Sequence, residues 1–175
     1  IGGGAQAYPL DAMNGPAVAT FFAALGAFDH MCLLLPTTTG PELAARLGPA
    51  NLLSIGAVAG IIRWTILALA PALPVLVLAQ ALHALTFGAA HLGAMMFLSR
   101  AVAPEHSASA QALYAGVAMG LVMGGATILS GTLFEALGAP AAFLAMAGLS
   151  AAGGLGALAL AALTPGGYPR PGSRV

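Results

Sequence analysis

Charge is scarce in this sequence. Only 6% of its 175 residues are Asp, Glu, Lys or Arg, five of each sign, and the formal net charge is zero. A soluble domain carries about 25% charged residues, so a soluble fold is not expected. With no basic run, a nucleic-acid partner is not expected either. Cysteine is almost missing. Cys32 stands alone in an apolar run, can form no disulfide within the chain, and reads as a small hydrophobe. The opening IGGGAQAYPLDAMNG has neither the basic n-region nor the apolar core of a signal peptide. It also lacks an initiator Met, so the expectation is a processed form or a fragment. No nucleotide-binding glycine loop, no G-x-S-x-G and no H-E-x-x-H occurs, which removes the common ATPase and hydrolase readings. Neither an enzyme nor a cofactor is expected.

Hydrophobic length is abundant, with 59% of residues hydrophobic. The stretch from Val75 to Arg100, VLVLAQALHALTFGAAHLGAMMFLSR, is long enough to cross a bilayer, since ~20 helical residues span the hydrocarbon core. It carries Gln80, His83, Thr86 and His91, which at ~100° per residue fall within one arc of roughly 140°. A spanning helix turns such a stripe towards other helices or a wet cavity, because lipid cannot satisfy it. The chain is therefore expected to be all-α: a polytopic membrane bundle with a polar interior.

Punctuation by Pro and Gly predicts five spans, at about 16–35, 52–73, 74–99, 107–133 and 140–163, the last interrupted by Gly153, Gly154 and Gly156. Residues 1–15 read as a loop, and 164–175 as a disordered tail. Five spans put Arg46, Arg100, Arg170 and Arg174 on one side, with Asp11 and Glu135 on the other. The positive-inside rule then predicts a cytoplasmic C-terminus. Gly56 and Gly60 form one G-x-x-x-G, and Gly116, Gly120 and Gly124 repeat it, as expected where helix backbones approach.

Arg63 is the sharpest polar signal. A charge deep in a bilayer costs ~2.5–3.5 kcal/mol on insertion scales, so a partner or a function must offset it. Asp29, one span earlier, is the natural counter-charge. Arg63 lies about ten residues before a turn near Ala70 to Pro74, and His83 about ten after it, which predicts the two at matching depth, ~15 Å below one membrane face. His83 can relay protons or bind a solute. His83 and His91 are eight positions apart, not the i, i+4 spacing of a shared metal, so a metal site is not expected. Gln111 and Tyr114 begin the fourth span, where they can cap the helix or contact solute, with interface anchoring the favoured role of Tyr114.

These residues resemble a known family. PELAARLGPANLL, from Pro41, is similar to the loop between helices eight and nine of the major facilitator superfamily: Arg46 and Gly48 match, Ala45 stands where an acid is usual, and Gly40 is one place off. Leu78 to Tyr114, and then LSGTLFEALGAPAAF from Leu129, look like the phenylpropionate-permease-like branch, related to oligosaccharide and nucleoside proton symporters. Arg63 and His83 match an Arg and a His of lactose permease, a distant relative, where both serve sugar binding and proton coupling. Thr86 and Met96 stand where that permease has an acid and a Lys.

The resemblance implies helices eight to twelve of a transporter built from two six-helix halves, with the solute between them. It implies proton-coupled transport of a small organic solute by alternating access, such as an aromatic acid, a sugar or a nucleoside. The expected partners are that solute, protons, the lipid of a plasma membrane, and a missing N-terminal half or an oligomer. Arg63, His83, Asp29, Gln80, Thr86, His91 and Gln111 are the candidate substrate-binding or proton-coupling residues. The rival reading is a small helical membrane protein that scaffolds partners without transporting.

Overall fold

The computed structural model describes residues 46–69 and 72–163. Among them every regular element is a helix. Helix α1 is Pro49–Ala68. Next come α2, Leu73–His83, a π-helical stretch, Ala84–Ala89, and α3, Ala90–Ala101, which together make one rod over 73–101. A third rod follows, Pro104–Leu137. It contains a short 3-10 turn, α4 at Ser107–Tyr114, a second π-helical stretch at Ala115–Val122, and α5 at Met123–Leu137. The last helix, α6, is Ala139–Leu163.

Three of these helices are long and apolar enough to cross a membrane: Pro49–Ala68, Pro104–Leu137 and Ala139–Leu163. The expected span 16–35, with Asp29, lies outside the described residues, as do loop 1–15 and tail 164–175. Several boundaries differ from the expected ones. Helix α1 begins at Pro49 rather than Leu52, because Gly48 (φ 77°) turns the chain and Pro49 has the fixed φ of a first helical residue. It ends at Ala68, with Pro71 soon after in the sequence. Gly138 (φ 83°) alone separates α5 from α6, so the helix continues through Glu135 to Leu137, where a turn was expected. Helix α6 runs unbroken through Gly153, Gly154 and Gly156. Each glycine weakens a helix by about 1 kcal/mol relative to Ala, which the surrounding Ala and Leu can carry, and Gly154 lies against Ala57.

Helix α1 is the hub, packing on the second rod and on α6, with α5 on the far side of α6. Its register with the second rod is antiparallel: Gly93 lies against Pro49, Leu52 and Leu53, Gly56 against Thr86 and Ala90, and Arg63 against Gln80. With α6 it is antiparallel too, pairing Ala57 with Gly154, Gly60 with Ser150, and Trp64 with Phe143. The start of α1, Arg100 and the end of α6 therefore share one end of the bundle.

Missing side chains make these approaches possible. A Cβ on Gly60 would stand 2.7 Å from Ser150 Oγ and 3.4 Å from Thr86 Cγ2, so three rods converge there. One on Gly93 would meet the Pro49 carbonyl at 3.0 Å. Gly116 and Gly124, by contrast, have nothing within 4 Å among the described residues, and Gly120 only its own helix at 3.9 Å. The first G-x-x-x-G packs helices here, while the second faces none of the described ones.

Candidate functional site

Arg63 is 8% exposed, the buried charged residue of α1. Its Nη2 donates to Gln80 Oε1 at 3.4 Å, and its guanidinium carbon sits 4.6 Å from the centre of the Trp64 ring. Trp64 in turn stacks on Phe143 of α6, with centroids 6.0 Å apart. The cation is thus set between a neutral amide and an aromatic face, in helices that leave it little water. At 3.4 Å the amide bond is longer than the ~2.7–3.2 Å of a strong hydrogen bond.

Because α1 ends at Ala68, Arg63 lies five residues from the end of its helix, and Gln80 seven residues from the start of α2. The Arg63 side chain meets Gln80. His83 lies about one turn further along the same rod.

The polar stripe on the second rod is also divided. Gln80 and Thr86 turn to α1: Gln80 meets Arg63, and the Thr86 methyl lies over Gly60. The Thr86 hydroxyl donates to the Leu82 carbonyl at 2.7 Å, a bond within its own helix. His83 and His91 fall in line with Phe87 between them. The His83 and Phe87 rings are 6.1 Å apart, and Phe87 and His91 are 5.7 Å apart and nearly parallel, at 2°. Beyond His91, at 6.2 Å, is Tyr114 of α4. The π-helical stretch between His83 and Ala90 explains the division. Its wider turn changes the angular step per residue, so a projection at 100° per residue fails across it.

Gln111 is exposed and donates to Ser107 Oγ at 3.2 Å on its own helix; it is not brought to Arg63. Asp29 lies outside the described residues. Among the described residues no three His, Cys, Asp or Glu side chains are grouped to hold a metal ion.

A groove of about 380 Å³ opens between α1, the second rod and α6, lined by Leu53, Gly56, Thr86, Ser150 and Gly156 among others. Its two hydroxyls are committed to helix carbonyls, Thr86 to Leu82 and Ser150 to Met146. The groove thus offers an apolar surface.

Three contributors went unnoticed in the sequence. Phe87 is four residues from each histidine, a spacing that was visible. Trp64 was also legible as the neighbour of Arg63. Ser150 sits in a run of Ala and Gly that gives no signal.

The sequence matches the model of the MFS_1 like family over residues 10–145. It is 36% identical over 97 residues to a protein of Escherichia coli described as a probable 3-phenylpropionic acid transporter, covering 55% of this chain and 25% of that protein. The match therefore spans about a quarter of the relative's length. No solved structure matches significantly.

Proposed function

The chain belongs to the MFS_1 like family, and on that premise we propose that it works within a membrane transporter that moves a small organic acid together with a proton by alternating access. Its apolar helices and its family make it an integral membrane protein. The observation that carries the finer reading is the buried Arg63, bonded at 3.4 Å to the neutral Gln80 amide. A solute carboxylate that meets the guanidinium would accept charge-assisted bonds of ~2.7–2.9 Å. The guanidinium would hold it through a planar fork. The name of the Escherichia coli relative supports an acid of the phenylpropionate type.

In this mechanism Arg63 binds the carboxylate and Gln80 orients the guanidinium. His83 takes the proton or hydrogen-bonds the solute, with His91 behind it, and Asp29 is the coupling acid. Thr86 and Gln111 contribute at the margin, Thr86 through its methyl. The protein resides in the plasma membrane with its C-terminus in the cytoplasm, and further helices, an N-terminal half or an oligomer, complete the solute path. A non-transporting scaffold is the second reading. It is favoured by the rod Pro104–Leu137, whose apolar residues are unburied among the described ones.

The test is uptake of labelled 3-phenylpropionate by membrane vesicles from cells expressing the gene that encodes this sequence, with an imposed proton gradient. Gradient-driven uptake that Arg63→Ala abolishes at normal expression is the expected result. Unchanged uptake in that variant overturns the role of Arg63, and no uptake by the unaltered protein favours the scaffold.

A further inference from the structure

We propose that Phe87 makes this site prefer aryl acids over alkyl acids, the solute ring lying along the strip formed by His83, Phe87, His91 and Tyr114. The inference rests on the transport reading above and names the solute class more closely.

Four rings follow one another at centroid spacings of 6.1, 5.7 and 6.2 Å. These spacings fall within the ~4.5–7 Å at which aromatic pairs attract. All four side chains are only partly buried. Packing alone accounts poorly for His91. Its Nδ1 is buried without a hydrogen-bond partner among the described residues. Folding gains nothing from such a nitrogen, whereas the ring face beside it is held flat against Phe87. Both π-helical stretches border the strip: Phe87 is inside the first, and Tyr114 immediately precedes the second. Such stretches recur at functional sites because the wide turn re-aims side chains.

The reach also fits. Phe87 is seven residues beyond Gln80, the residue bonded to Arg63, or ~10 Å along the helix at 1.5 Å per residue. A charge-assisted contact of ~3 Å and three C–C bonds of ~1.5 Å carry the near edge of a phenylpropionate ring ~7.5 Å, so the ring itself extends towards Phe87. A shorter acid would leave its ring at His83, and a saturated ring would touch the same surface without the aromatic attraction.

The experiment compares saturable uptake of 3-phenylpropionate and of 3-cyclohexylpropionate in the same vesicles. In Phe87→Leu, KM for the phenyl acid should rise about 2–10-fold, the worth of one aromatic pair, while KM for the cyclohexyl acid stays put. Phe87→Tyr should keep the preference. Equal shifts for both acids, or no shift for either, overturn the proposal while leaving transport intact. If Phe87→Leu fails to reach the membrane, Phe87→Trp decides. Its larger ring must lower the KM ratio of phenyl to cyclohexyl acid, and an unchanged ratio overturns the proposal. Absence of saturable uptake of either acid by the unaltered protein overturns the transport reading and this inference with it.

Discussion

Gly60→Ala tests the arrangement that buries Arg63. The new methyl would lie 2.7 Å from Ser150 Oγ and 3.1 Å from Ser150 Cβ. The hydroxyl can rotate away, but it then gives up its 3.0 Å bond to the Met146 carbonyl, worth ~0.5–1.5 kcal/mol. The Cβ contact cannot rotate, and relieving it means separating α1 from α6, an overpacking cost of ~1–3 kcal/mol. Against this, Ala in place of Gly favours the helix by up to ~1 kcal/mol. The net expectation is a loss of roughly 1–3 kcal/mol. Ser150→Gly removes both clashing atoms, so the double variant should regain most of the loss, with a coupling energy of ~1–3 kcal/mol. Gly148→Ala, whose Cβ would meet nothing within 4 Å, is the control and should not destabilise. Unfolding in mixed micelles with rising SDS, followed by fluorescence of the single tryptophan, Trp64, measures the parent and all four variants. A Gly60→Ala protein as stable as its parent, or additive effects with Ser150→Gly, would refute the α1–α6 register.

Other expected outcomes follow from the same geometry. Arg63→Lys should not restore the uptake lost in Arg63→Ala, because an ammonium lacks the fork that reaches Gln80 and a carboxylate together; full activity in vesicle assays would remove the bidentate role. Trp64→Leu and Phe143→Leu should be coupled by ~0.5–1.5 kcal/mol in a double-mutant cycle, the worth of their stacking, and zero coupling would contradict the 6.0 Å contact. The proposed cytoplasmic C-terminus predicts that a Ser173→Cys protein reacts with a membrane-impermeant maleimide only after cells are permeabilised; labelling of intact cells would reverse the orientation.

Much of the fold was legible because the bilayer leaves few solutions. Long apolar runs with few charges must satisfy their backbone internally, which makes them helices. Gly48 and Pro49 open α1, and Gly138 parts α5 from α6. The errors have local causes. Gly138 turns the chain at one position, since a positive φ reverses it at once, so the gap expected between 133 and 140 is not needed. Gly153, Gly154 and Gly156 break nothing, because a glycine in a helix costs energy without removing a hydrogen bond. The G-x-x-x-G patterns looked alike in sequence, yet only Gly56 and Gly60 meet described neighbours.

The sequence by itself determined that this is an all-helical membrane chain of a transporter family, and that Arg63, Gln80 and the two histidines are its costly interior groups. Composition, span length and the price of a charge in lipid suffice for that. Which of those groups meet was decided by tertiary structure. The packing of α1 on the second rod brought the Arg63 side chain to Gln80. A π-helical stretch then split the polar stripe, sending Thr86 to Gly60 and His91 to Phe87 and Tyr114. A helical wheel assumes one angular step throughout, and helix ends depend on what the neighbouring rods can bury. Those two quantities are set only when the helices pack.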